Sequence, residues 1–294
     1  MLYIILVFLG ACSYGILSTF VKLAYAKGFI ASEVIGSQLF LGCLMLWFAV
    51  LCFSRIKVNG KAIVKLMLVG LTVCMTSIFY YISLQTIPAS IAIVLLFQFT
   101  WIGVVLEAVV ERAFPSREKL VSIGILTAGT LLAGAVFEHG EANLDIKGVV
   151  LGLLSALTFA LFIFFSGRVS IQIPSLNRSA FIATGSFLSA FLILRPSFLV
   201  DGTFQEGLWK YGLLLGLFGL FIPTLFFAIG VPKIGSGLGT ILGAAELPMA
   251  VFMSSVVLGE TVTLLQWMGV VLILLGIAFP QWKLYYQKKR MPVL

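Results

Sequence analysis

Glu246 stands inside the run GAAELPMAVFMSSVVLGE, thirteen residues after Lys233 and fourteen before Glu260, with no other charge between them. Along a helix that spacing amounts to roughly 20 Å on either side. An ionised carboxylate in hydrocarbon costs at least a few kcal/mol, so such a group normally faces a bundle interior or a water-filled cavity. There it can carry a proton reversibly; its bland alternative is a structural acid satisfying backbone groups freed by Pro248. Lys22 shares one helical stripe with Tyr14 and Ser18, at i, i+4 and i+8. That stripe can line a vestibule and bind a carboxylate, or Lys22 can snorkel to an interface. Gln38, Gln98 and Trp101 are polar or amphipathic groups within apolar runs, and Gln98 and Trp101 are i, i+3 neighbours; interhelical hydrogen bonding is the competing role. Of Tyr80 and Tyr81, one suits aromatic packing and the other a cavity wall. These seven residues (Glu246, Lys22, Tyr14, Gln38, Tyr80, Gln98 and Trp101) are the candidates for substrate binding or coupling.

The elements that must position them are set by composition. Of 294 residues, 61% are hydrophobic and 10% charged, at a mean hydropathy of +1.16. Water-soluble domains sit near 45–50% apolar and about 25% charged, so this is an all-α integral membrane protein. The net charge of +8 is dispersed in short runs between apolar segments rather than gathered into a nucleic-acid patch. Cys12, Cys43, Cys52 and Cys74 lie in or beside apolar runs without CxxC spacing and read as packing residues. His139 sits in a polar connector without ligand partners, so no metal or cofactor is expected. The apolar runs hold no histidine and, apart from Glu33 at the start of the second, only two acids, Glu107 and Glu246, which leaves no constellation for an enzyme. No Walker A motif appears, so ATP hydrolysis is not expected to drive this chain.

A helical span needs about 20 apolar residues, and ten runs qualify: 2–25, 30–53, 63–84, 88–110, 119–137, 147–166, 175–194, 208–230, 234–258 and 263–282. The first reads as a retained span, being too long for a cleaved signal. With the N-terminus inside, 14 of the 19 Lys and Arg fall on cytoplasmic loops, among them Lys119, Arg168 and Arg178. The outward connector FEHGEANLD is acidic, and QWKLYYQKKR closes the chain with aromatics and a basic tail. Both termini are therefore expected in the cytoplasm.

The halves overlay. Residues 77–83 (SIFYYIS) match 224–230 (TLFFAIG), and 87–90 (IPAS) match 234–237 (IGSG), both at an offset of 147. Residues 11–15 resemble 156–160 at an offset of 145, while Glu111 and Glu260, read as structural, close matching runs with a two-residue slip. Five spans per repeat make the second repeat enter the membrane inverted, a feature of secondary transporters with a midplane substrate site. The division expected is 1–137 and 147–283, joined by an external connector at 138–146 and followed by a basic tail at 284–294. Gly235, Gly237, Gly239 and Gly243 make the start of span nine smooth, and Pro223 is placed to kink span eight.

The repeated element of small-residue turn, apolar run and acidic end reads TIPASIAIVLLFQFTWIGVVLEAVVER and KIGSGLGTILGAAELPMAVFMSSVVLGET. With TLLQWMGVVLILLGIAF after it and Tyr14-Gly15 and Lys22 in the first span, the chain resembles the ten-span EamA-like members of the drug/metabolite transporter superfamily. Gln38 stands where the resemblance implies arginine, which weakens the carry-over of a specific anionic substrate. Glu111-Arg112 lacks the preceding glycine of Leu258-Gly259-Glu260. The resemblance implies a plasma-membrane transporter, exporting or importing amino acids, related metabolites or drugs. One cation and one anion in the spans suit a zwitterion, with export as the expected direction and protons as the candidate coupling ion. A monomer and a homodimer are both compatible. The rival reading is a translocase or channel for lipids or other amphiphiles.

Overall fold

The computed structural model describes residues 1–54, 56–134 and 145–290. Most of the connector predicted at 138–146, His139 included, and the last four residues of the tail lie outside the described residues. Helices occupy all ten apolar runs: α1 (Leu2–Ala26), α2 (Ala31–Phe53), α3 (Gly60–Thr86), α4 (Ala89–Leu96) with α5 (Phe99–Glu111), α6 (Arg117–Ala133), α7 (Ile146–Ser166), α8 (Ser175–Leu194), α9 (Trp209–Gly216) with α10 (Ile222–Ile234), α11 (Ser236–Gly243) with α12 (Glu246–Val257), and α13 (Leu264–Arg290). Eight spans among the described residues are long and apolar enough to cross a membrane; α6 and the apolar part of α13 (Leu264–Pro280) are shorter. Local chemistry sets several starts. The side chains of Asn59, Ser116 and Asp145 accept backbone N–H groups of the first turns of α3, α6 and α7, the usual N-cap device.

Two spans expected to be continuous are broken, at matching positions. α4 gives way to α5 at Phe97 and Gln98, and α11 to α12 at Ala244 and Ala245, 147 residues apart. Their helix starts also correspond, with Pro88 and Gly235 as N-caps. At each break the backbone tightens into 3₁₀ turns, such as Gln98 N–H to Leu95 C=O at 3.2 Å and Ala245 N–H to Leu242 C=O at 3.1 Å. Pro248 explains the second, because its ring crowds the carbonyl four residues back and it cannot donate. Trp101 occupies the matching place in α5. There the Gln98 amide donates to the Val94 carbonyl at 2.9 Å and its oxygen accepts from the Trp101 indole at 2.7 Å, so a side chain bridges the first break.

The span around Pro223 is distorted instead, with π-helical turns over Phe204–Leu208 and Leu217–Phe221. Pro223 offers no N–H to the carbonyls four and five residues before it. Those are Gly219, which accepts from the Gln38 amide at 3.4 Å, and Phe218, which accepts from the Ser13 hydroxyl at 2.7 Å. Neighbouring helices thus satisfy the backbone that proline frees.

Packing respects the repeat. α3 packs on α7 and α8, and the α9–α10 span packs correspondingly on α1 and α2. α4 and α5 lie against α7 as α11 and α12 lie against α1, while α2 pairs with α8, α5 with α11 and α6 with α13. Exchanging the first five spans with the last five leaves this pattern unchanged. α1 begins with Tyr3 beside Gly230 and ends with Lys22 beside Glu260, whereas α7 begins beside Thr86 and Ile87 and leads to Arg168 beside Glu111. Since Tyr81 and Tyr25 meet at 6.2 Å, the counterparts α1 and α7 run in opposite directions.

Arg178, counted with the cytoplasmic loop charges although the run 175–194 reaches it, turns inward instead of facing a loop. It lies in the first turn of α8, only 2% exposed, donating to the carbonyls of Ala228 at 3.1 Å and of Ser166. It neutralises carbonyls at the end of α7, where a cation is favoured by the helix dipole. Close helix approach elsewhere rests on glycine: a Cβ on Gly70 would strike the backbone of Ile182 and Ser186. Gly70→Ala is therefore expected to lower the melting temperature of the purified protein, at a cost of about 1–3 kcal/mol. Gly124→Ala, with open space around it, is expected to leave it unchanged or raise it slightly.

Candidate functional site

A cavity of about 980 Å³ enters the bundle from the end that carries Lys22 and Glu260, at the upper limit of pockets that hold drug-sized ligands. Lys22, Tyr25, Ile30, Gln85, Glu260 and Gln266 line it towards the mouth and Tyr14, Gln38, Tyr80, Phe159 and Glu246 towards the deep end, with Tyr81 between them, its ring 6.2 Å from that of Tyr25. Repeat geometry explains the depth. The breaks in the fourth and ninth spans sit beside α7 and α1, and the ninth presents Glu246 as the first residue of α12. α1 approaches so closely there that a Cβ on Gly15 would meet the Glu246 carbonyl and Met249. A carboxylate at a helix start is favoured by the local dipole.

Among the described residues the Glu246 carboxylate accepts no hydrogen bond and forms no ion pair. Tyr14 from α1 and Tyr80 and Tyr81 from α3 lie within electrostatic range of it. Tyr14 is pinned edge-on to Phe159 at 5.5 Å, and Tyr80 to Tyr81 at 6.2 Å. Beneath this ring Phe99, wholly buried, packs on Phe159 at 4.7 Å, and Phe162 stacks between Phe159 and Phe227. Phe99 holds the place in the first repeat that Glu246 holds in the second.

Below the aromatic layer the opposite end is shut by polar contacts. Glu107, 7% exposed, pairs with Lys119 and accepts the Gly237 N–H at 2.8 Å and the Ser236 hydroxyl at 3.4 Å, which caps α11. Arg168 donates to Ser236 at 2.7 Å and to Glu111 at 2.6 Å. At the mouth, Lys22 contacts both oxygens of Glu260 at 3.0 Å, and Glu260 also accepts from Ser254. Lys22–Glu260 and Arg168–Glu111 are counterparts under the repeat exchange, one at each end of the bundle. Neither Glu107, an acid within an apolar run, nor Arg168, a loop charge, carries a sequence signal for this closure, because their partners lie on other elements.

Five of the seven candidates, Tyr14, Lys22, Gln38, Tyr80 and Glu246, line the cavity. Gln98 and Trp101 do not; they bridge the break before α5, and Trp101 is 41% exposed on the outside of the bundle. Gln38 lines the cavity but spends its amide on Gly219. Tyr81 lines it as well, so both tyrosines of the pair face the space rather than one.

Comparison with known proteins gives a consistent picture. Residues 146–280 match the model of the EamA-like transporter family. A Synechocystis sp. protein described as an uncharacterized transporter is 26% identical over 228 residues, covering 75% of this chain and 67% of its own. A solved crystal structure superposes with a TM-score of 0.77 over 95% of each chain at 16% identity, a likeness of fold.

The two closures are expected to differ in strength. Glu107→Gln strips a buried carboxylate from Lys119 and Gly237 and is expected to lower thermal stability by about 1–3 kcal/mol. Glu260 is half-exposed, and Glu260→Gln is expected to cost under about 1 kcal/mol at neutral pH. Ser254's hydrogen bond, with the Lys22 ammonium, holds the Glu260 carboxyl below its usual range. Its contribution is therefore present above the unfolded-state value near 4.3 and lost as pH falls through the lower folded one. Melting curves across that acid range check this: the gap between wild type and Glu260→Gln closes as the pH drops.

Proposed function

We propose that the chain, whose residues 146–280 match the EamA-like transporter family and which resembles a protein described as a transporter, is a member of that family and a secondary transporter that moves a small metabolite by alternating access. The cargo is an amino acid, a related compound or a drug, and the working direction is export across the plasma membrane. The observation that carries this reading is a single carboxylate, Glu246, left without a partner among the described residues at the deep end of a cavity open at one end and sealed at the other. Residues 1–137 are read as a second copy of the unit matched at 146–280, which the exchange symmetry of the packing supports. With both termini in the cytoplasm, as the distribution of Lys and Arg favours, the cavity faces outward and the Glu107–Lys119 network closes the inner end.

Alternating access then amounts to exchanging the two closures. The aromatic layer and the Glu107 network part while the mouth shuts around Lys22 and Glu260, with Glu246 between them exposed to each side in turn. Glu246 is the proposed coupling residue. The ionisable groups that face it are Tyr14, Tyr80 and Tyr81, with Lys22 and Glu260 further out, and none of these neutralises it by direct contact. A protonated Glu246 crosses without a net charge; an ionised one crosses with a cation.

Sealed proteoliposomes test both parts. A pH gradient is expected to drive uptake of radiolabelled cargo from a panel of amino acids, amines and drugs, and Glu246→Gln is expected to abolish the pH-driven component. Intact pH-driven flux in Glu246→Gln would remove Glu246 from coupling. Transfer of fluorescent lipids between leaflets without solute flux would instead favour the translocase reading.

A further inference from the structure

Three charged side chains line the cavity: Lys22, Glu246 and Glu260. Lys22 is engaged by both oxygens of Glu260, so the mouth pair cancels, and the carboxyl at the deepest point, without a partner among the described residues, leaves the cavity an uncompensated negative charge whenever it is ionised. An uncompensated charge out of water is costly, and a ligand of opposite charge removes that cost. A zwitterion matched to Lys22 and Glu246 would have to displace Glu260 from the lysine, leaving a second carboxylate beside its own.

The neutral groups at the deep end point the same way. The Gln38 amide nitrogen donates to the Gly219 carbonyl, which fixes the orientation of the amide, and its oxygen is buried with no hydrogen-bond partner. That oxygen and the Glu246 carboxylate can only accept. Tyrosine hydroxyls serve as donor or acceptor, and the rings of Tyr14, Tyr80 and Tyr81 present aromatic surface to the same space, the kind that attracts a cation over its face. Most of the remaining wall is aliphatic or aromatic, including Phe29, Phe159 and Phe162. A ligand that satisfies all of this donates hydrogen bonds, carries positive charge and has an apolar body.

Resting on the transporter reading above, we infer that the cavity selects protonated amines with an aromatic or apolar body over zwitterionic amino acids, anions and neutral compounds. The ammonium sits against Glu246, among the tyrosines around it. Lys22 contributes to closing the mouth and not to ligand recognition.

The test uses four compounds that share a phenyl group and differ in charge: 2-phenylethylamine, phenylalanine, 3-phenylpropionate and 2-phenylethanol. Their affinities for the full chain in lipid nanodiscs are measured by calorimetry at neutral pH. The amine is expected to bind about tenfold tighter than any of the others, a margin of about 1.4 kcal/mol. Glu246→Gln is expected to erase that margin, while Lys22→Gln leaves it in place. Equal or tighter binding of phenylalanine or phenylpropionate overturns the assignment, as does a margin that survives in Glu246→Gln. Should Glu246→Gln not fold, the ranking on the wild-type protein decides alone, and absence of binding by the amine overturns the assignment. Counterflow in sealed proteoliposomes separates this inference from the transporter reading. An amine that binds through Glu246 but shows no counterflow upholds the site and removes transport; counterflow of phenylalanine in preference to the amine upholds transport and overturns the amine assignment.

Discussion

Inside a bilayer there is no water to satisfy a backbone N–H or C=O, so every break in a spanning helix has to find its partners within the protein. This chain breaks or distorts three spans, and at two of them named side chains satisfy the backbone. Gln98 bridges the break before α5, and Ser13 and Gln38 take up the carbonyls that Pro223 leaves free; Pro248 sets the break before α12, while Glu107 caps the start of α11 at Gly237. The constraint also sorts the polar residues of the interior. A side chain committed to the backbone is already in use, and what is left over is available to a ligand. By that measure Gln98 is structural and Gln38 is half committed. Glu246 has no such commitment.

The second ordering principle is the repeat. Counterpart spans make counterpart contacts, and counterpart ion pairs stand at the two ends. Function requires that the symmetry be broken, and it is broken in chemistry rather than in architecture. Phe99 in one repeat adds to a buried aromatic layer, while Glu246 at the matching place in the other faces open space. The buried network around Glu107 has at the mouth only the exposed Lys22–Glu260–Ser254 contact as its counterpart. The end with less polar closure is the end that is open.

Much of the architecture was legible in the sequence, for reasons that follow from the bilayer. Ten apolar runs against charged breaks reflect a solvent that tolerates little else, and the offset of 147 residues matched both helix starts and helix breaks. Glu246 was legible because an isolated acid in hydrocarbon is expensive. The breaks themselves were not: an apolar run reads the same whether its helix is continuous or tightens for one turn, and the Gln98 bridge involves only neighbours. Nor was the state of Lys22, because its partner lies 238 residues away across a contact between repeats. Arg178 looked like a loop charge because sequence alone does not reveal that its guanidinium turns inward to the carbonyls of Ser166 and Ala228.

The central claim is that the two ends close in alternation about Glu246. Pulsed electron spin resonance tests it directly, with one pair of spin labels at positions 27 and 261 across the mouth and, in a second sample, another at 113 and 171 across the opposite end. As pH or added 2-phenylethylamine is varied, the account predicts that the first distance shortens as the second lengthens, in populations that exchange in step. Two distances that lengthen together, or neither of which responds under any condition, would contradict it.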